Sequence, residues 1–186
     1  MRYFKAIYYK LYYMWYSRQS KKQFKNFVAA QPATTSIFIV DVDNTIANTW
    51  PTFLRKWTSE YERLENIEAF KNMHSYLQKQ TQTQAIAFVY LTARNIRYKS
   101  ITQTWLQQHN FLFNNAQLFL VNKPNEKLAF LKKACYLHKN IVYLDDLSYN
   151  HETGNTKTYT NIIEAVKKMP LAYFDASFID GINKTI

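Results

Sequence analysis

The sequence predicts an α/β fold: a three-layer α/β/α sandwich around a mainly parallel, Rossmann-like sheet, preceded by a basic, aromatic helical arm. Two observations carry this reading. Continuous apolar runs, the mark of strands buried on both faces, alternate with segments of helical periodicity. Several of these runs also end abruptly in carboxylates or a hydroxyl: Asp41-Val42-Asp43 after Ser36–Val40, Thr92 after Ala85–Leu91, and Asp145-Asp146 after Ile141–Leu144. In open α/β sheets, ligands bind outside the carboxyl ends of the strands.

Residues 1–33 read as the arm and residues 34–186 as the main domain. Phe4, Ile7, Tyr8, Leu11 and Trp15 recur at helical spacing, with Lys5 and Lys10 between them. Lysines interrupt any secretory signal, and the stretch is too short and too charged to span a bilayer. Three readings stay open: a helix lying on an anionic membrane, a nucleic acid contact, or a helix packed on the domain with its lysines in solvent. Lys21–Lys25 is a basic run, and Pro32 marks a linker over residues 31–35.

Beyond Thr45, Pro51 suits the first turn of a helix that Phe53, Leu54, Trp57 and Tyr61 continue. A second helix is expected over residues 67–80; His74 on its apolar face reads as a boundary histidine rather than a ligand. After the strand ending at Leu91, a helix is expected over about 98–109, a strand over 118–121, and a helix over 126–137. The strand 141–144, a polar loop, a helix near 159–168 and a short strand 171–174 complete the domain.

Composition narrows the chemistry. The chain has two glycines, Gly154 and Gly181, so neither common Gly-rich phosphate loop is present. Phosphate would have to be held by side chains or by amides of other residues. Cys135 is the single cysteine, which rules out an intrachain disulfide and a cysteine-based zinc site. It fits a reducing compartment, and its apolar helical setting reads as core. Seven of the basic residues precede Asp41, the first acid in the chain, within a net charge of +11. Such asymmetry suggests an anionic partner. The expected compartment is the cytoplasm, with peripheral membrane association left open.

If the strands are parallel, Asp41, Asp43, Thr92, Asp145, Asp146 and a lysine at the head of the helix before strand 141–144 share one crevice. Carboxylates at close quarters repel unless protonated or neutralised. Oxygen-only ligands suit Mg²⁺. Metal, lysine and threonine would clamp a phosphoryl group, one aspartate could attack it, and a second, two residues on, could move the proton.

These motifs, in this order, resemble the haloacid dehalogenase (HAD) superfamily: Asp41-Val42-Asp43-Asn44-Thr45, Tyr90-Leu91-Thr92-Ala93-Arg94, Asn122-Lys123-Pro124-Asn125-Glu126-Lys127, and Val142-Tyr143-Leu144-Asp145-Asp146. The resemblance covers residues 36–150. It implies a Mg²⁺-dependent phosphatase, with Asp41 as nucleophile and metal ligand and Asp43 as general acid/base that also reaches the metal. Thr92 would bind phosphate, and Asp146 would complete the metal site with Asp145 beside it. The phosphate-binding lysine is Lys127 or Lys123, with Lys127 favoured; Asn44 and Arg94 are further phosphate-binding candidates, and Arg94 could instead pair with an acid. Asn150 and His151 could line the crevice, although a lone histidine in a polar loop is more often solvated. The core is expected to be capless or nearly so. Within the superfamily, the chain is most similar to the phosphatase domain of polynucleotide kinase–phosphatases. The substrate classes left open are a small phosphomonoester, such as a sugar phosphate or nucleotide, and a phosphorylated nucleic acid end. The alternative is a non-catalytic HAD-fold binding protein recruited to nucleic acid or membrane by its arm.

Overall fold

A computed structural model describes residues 2–113 and 116–184; of residues 2–10, the side chains of Ile7 and Tyr9 alone are described, so Phe4, Lys5, Tyr8 and Lys10 lie outside the described side chains. Five parallel strands form the central sheet: β1 (Ser36–Val40), β4 (Ile86–Thr92), β5 (Gln117–Leu120), β6 (Ile141–Leu144) and β9 (Ala172–Phe174). Their spatial order is β5-β4-β1-β6-β9. The order runs outward from β1 in both directions, so the chain reverses its winding between β1 and β6. That is where an open parallel sheet leaves a crevice at its carboxyl edge.

Successive side chains of a strand point to opposite faces, and each face has its own core. Phe38, Val40, Phe88, Tyr90 and Leu144 pack under α3 (Lys71–Thr83), α4 (Lys99–Gln108) and α7 (Ala176–Lys184), through Met73, Leu77, Trp105, Leu106 and Ile179. Ile37, Ile39, Val89, Leu91 and Tyr143 pack under α1 (Arg2–Ala29), α5 (Lys127–Leu137) and α6 (Thr160–Lys167). Helices thus cover both faces of the sheet. Two small antiparallel pairs sit at its carboxyl edge: β2 (Ala47–Asn48) with β3 (Glu68–Ala69), and β7 (Ser148–Tyr149) with β8 (Lys157–Thr158).

The basic arm is one helix that runs through the Lys21–Lys25 cluster. Its inner face is bonded to the domain along its length. Tyr9 donates to Asn95 Oδ1 at 2.6 Å, the Tyr13 hydroxyl is bonded to Glu126, and the Tyr16 hydroxyl accepts the Leu120 amide at 3.3 Å. Further on, Phe24 is buried edge-on against Phe119 and Phe130, with centroids 5.5 and 5.1 Å away. Arg18, Lys21, Lys22 and Lys25 stay exposed. The second half of α1 therefore forms part of the core layer.

One expectation fails locally. The helix foreseen from Pro51 through Tyr61 is instead a 3₁₀ turn, Trp50–Leu54, then a break, then the short α2 (Glu60–Glu65). Ser59 starts α2 by accepting the Glu62 amide at 3.2 Å, and Thr58 and Glu62 close the same turn from the other side. These caps outweigh the apolar spacing, and Phe53, Leu54 and Tyr61 are left exposed. His74 is a boundary residue as expected: its ring lies against Phe111 and Phe113, and Nε2 is 3.3 Å from the Asn110 carbonyl. Among the described residues, no helix is long and apolar enough to cross a membrane.

The division of α1 into a packed and an exposed face is testable by urea denaturation. Phe24→Ala should cost about 3–5 kcal/mol, the usual range for emptying a buried aromatic site. Trp15→Ala, at an exposed position, should stay within about 0.5 kcal/mol.

Candidate active site

Strand register builds the centre of the crevice. Val40 pairs with Leu144, and the ladder continues as the Asp41 amide donates to the Leu144 carbonyl at 2.8 Å. Asp41 and Asp145, the next residues of β1 and β6, are thereby brought side by side. Lys127, the first residue of α5, reaches between them. Its Nζ is 2.8 Å from Asp41 Oδ1 and 2.7 Å from Asp145 Oδ2. This ammonium is 2 % exposed. Burial works against its charge, but Asp145 and Asp41 outweigh that and hold its pKa above the ordinary lysine value.

The carboxylates differ in how fully they are bonded. Asp145 accepts from Lys127, from the buried Tyr143 hydroxyl and from the Leu147 amide at 2.9 Å. Asp41 Oδ1 has the Lys127 ion pair but no directed hydrogen bond, and Thr45 Oγ1 in the same loop is buried without a partner. Burial pushes the Asp41 carboxyl well above the usual carboxylate range, and Lys127 pulls it back. Asp146 is raised by burial too, against bonds from His151 and Ser148. Ser148 donates to Asp146 and lies 2.6 Å from His151 Nε2. The link to Asp146 raises the pKa of His151.

Asp41, Asp145 and Asp146 each offer an oxygen within 4.8 Å of the others. Three buried carboxylates facing one ammonium leave an excess of negative charge. An oxygen-only donor set of this kind, with Asp41 Oδ1 lacking a directed bond, fits a hard divalent cation. Asp145 is already the most fully bonded of the three, so Asp41 and Asp146 have the freer oxygens.

Asp43 lies on the outer side of the turn after β1. Asn44 makes this turn with φ of 54°, a left-handed conformation that asparagine tolerates, and its Oδ1 accepts the Trp50 amide at 3.2 Å. Arg94 grips Asp43 with two bonds, Nε to Oδ2 at 2.8 Å and Nη2 to Oδ1 at 2.6 Å. Thr49 donates to the same carboxylate at 2.8 Å, and the Thr92 hydroxyl is 3.4 Å away. Burial opposes the charged form, but the Arg94 guanidinium overrides it and holds Asp43 at about 2.

The sequence candidates therefore separate. Asp41, Lys127, Asp145 and Asp146 meet in an inner cavity of 340 Å³, which Asp43 and Asn44 also line. Thr92 is buried at the end of β4, beside Asp43. Arg94 is engaged with Asp43 rather than open to solvent. Lys123 is exposed on the turn before α5. Beyond Asp43 lies an outer vestibule of 330 Å³, walled by Trp50, Phe53, Arg63, Tyr98, Tyr149, Asn150 and His151. His151 is thus a crevice residue rather than a solvated one. Sequence reasoning passed over Tyr143, Ser148, Thr49 and Arg63. For Tyr143 a signal existed: a tyrosine two residues before Asp145 on a buried strand needs a partner for its hydroxyl. Leu147 gave none, yet it sits at φ of 44°. That rare conformation for a bulky residue aims its amide at Asp145, and such strain gathers at functional sites.

No protein-family model and no curated protein matches the chain.

The grip of Arg94 on Asp43 has a pH signature. A carboxyl lowered from 3.8 to about 2 adds stability that is complete above the unfolded value and lost as pH falls through about 2. Carboxyl-carbon NMR should show Asp43 titrating near pH 2, and at least about one unit higher in Arg94→Gln. An unmoved titration in that variant would rule out Arg94 as the cause.

Proposed function

We propose that this crevice hydrolyses phosphomonoesters through a phosphoryl group carried on Asp41, in the manner of the haloacid dehalogenase superfamily that the sequence resembles. The observation that carries the reading is the meeting of Asp41, Lys127, Asp145 and Asp146 at the switch point of a parallel sheet, with Asp43 two residues beyond the nucleophile. Asp41, Asp145 and Asp146 would hold Mg²⁺, with the Asp43 backbone carbonyl as a further ligand. When bound, the metal would offset the charge of these carboxylates and of the phosphoryl oxygens.

Lys127 offsets part of the cost of ionising the buried Asp41 by binding Oδ1, which leaves Oδ2 as the attacking oxygen. That oxygen attacks phosphorus as the bond to the ester oxygen breaks, and the bonding pair leaves with the alcohol. Asp43 supplies the proton the alcohol oxygen requires. Water then attacks phosphorus, gives its proton to Asp43, and the bond to Asp41 breaks to restore the carboxylate and release phosphate. Lys127 would donate to the phosphoryl oxygens throughout, and Thr92, buried beside Asp43, would join it by giving up its bond to the Asp43 carboxylate.

Arg94 shapes this cycle. It favours the ionised form of Asp43, which suits the second step and opposes storing the proton for the first. Esters with good leaving groups need little proton donation and should turn over most readily. The substrate is a small phosphomonoester or a phosphorylated nucleic acid end, and the vestibule's aromatic walls suit a flat leaving group in either case.

The test is a panel of phosphomonoesters, including 3′- and 5′-phosphorylated oligonucleotides, assayed with Mg²⁺ and with chelator. Hydrolysis should require the metal, and Asp41→Asn should abolish it. Full activity in that variant would refute the nucleophile. Asp43→Asn should slow alkyl phosphates by about 10²–10⁴-fold, the range for losing general acid–base help, and slow p-nitrophenyl phosphate less.

A further inference from the structure

The outward face of α1 takes no part in the crevice or the core. Its inner face is tied down by Tyr9, Tyr13, Tyr16 and Phe24. On the opposite side, Ile7, Leu11, Met14 and Trp15 are 56 %, 58 %, 42 % and 57 % exposed. At about 100° per residue, these four fall in the same arc, roughly 120° wide, as the exposed Arg18, Lys21, Lys22 and Lys25. One continuous stripe therefore carries apolar side chains along its first half and cations along its second. It contains no acid, since none occurs before Asp41.

We infer that this stripe binds the surface of an anionic lipid bilayer. Four exposed apolar side chains on a soluble surface need an apolar partner, and the neighbouring cations need an anionic one. A bilayer of acidic lipid supplies both in the same order along the helix, acyl chains for the first half and headgroups for the second. Nucleic acid fits less well. Of the stripe's exposed apolar side chains Trp15 alone could stack on a base, whereas Ile7, Leu11 and Met14 offer no stacking. A second copy of the chain fits less well too, because pairing the stripe with itself would bring like charges together.

The placement has a consequence for the crevice. A 28-residue helix is about 42 Å long, whereas the five residues of β1 span about 17 Å. The first half of α1 meets the domain at Asn95, Asn122 and Glu126, beside the carboxyl ends of the strands. With the stripe on a membrane, the crevice mouth is held next to the lipid surface. The binding itself does not depend on what reaction the crevice performs.

Flotation of the full chain with vesicles tests the inference. The protein should float with phosphatidylcholine–phosphatidylglycerol vesicles and far less with phosphatidylcholine alone. Each lysine near an anionic surface is worth roughly fivefold in partitioning, so Lys21→Glu with Lys22→Glu should lower it by at least about 25-fold. Leu11→Ser with Trp15→Ser should lower it by at least about tenfold. All four positions are exposed, so circular dichroism and thermal unfolding should match the parent. Equal partitioning of parent and variants would overturn the inference. So would displacement from the vesicles by a single-stranded oligonucleotide, or a stable dimer dispersed by the Leu11 and Trp15 substitutions.

Discussion

The site depends on one buried ammonium, Lys127, between two carboxylates that neighbouring strands bring together. Taking such groups out of water costs several kcal/mol for each ion, and only close, well-directed partners offset it. The fold meets that condition from three directions. The register of β1 against β6 sets Asp41 beside Asp145, the first turn of α5 points Lys127 between them, and Tyr143 with the Leu147 amide satisfies the rest of Asp145. The two ends of the cluster then behave differently. Asp145 is held by bonds on both oxygens, whereas Asp41 is held by Lys127 at Oδ1.

Asp43 is governed by a second, separate cation. Arg94 comes from the loop after β4 and binds both oxygens of Asp43, so two carboxylates in one turn are pushed in opposite directions. Burial raises Asp41, and Arg94 lowers Asp43. Divergence of this kind is how a site assigns different roles to identical side chains. The outer vestibule begins at Asp43 and is walled by the 3₁₀ turn after β2 and the β7–β8 hairpin. These short irregular segments, not a separate domain, shape the entrance to the crevice.

Much of this was legible in the chain. Strands buried on both faces must be apolar throughout, so β1, β4 and β6 announce themselves, and polar residues at their ends mark the sheet's functional edge. Asp41, Asp145 and Asp146 could be read from position alone, and Lys127 from its place at the head of an amphipathic run. What stayed hidden depends on tertiary pairing or on local rules that compete with periodicity. Phe53, Leu54, Trp57 and Tyr61 have helical spacing, but Ser59 and Thr58 cap a new helix and break the old one. The sequence leaves Arg94 as a phosphate ligand or a partner for some acid; only the fold shows that the acid is Asp43. Phe24, Phe27 and Val28 lie at the i, i+3, i+4 spacing of a buried helix face, but the Lys21–Lys25 basic run around Phe24 obscures that signal. Leu147 adopts its left-handed backbone for the sake of Asp145, and nothing local to Leu147 calls for it.

The proposed hydrolysis requires that Asp41 carry the phosphoryl group. It is tested most directly by acid-quenching the protein during turnover of an aryl phosphate and mapping the peptides by mass spectrometry. A phosphoryl group is expected on Asp41, absent from Asp41→Asn and convertible to homoserine at that position by borohydride reduction. Release of phosphate with Asp41 unmodified at every quench time, or a phosphoryl group on another residue, would contradict it.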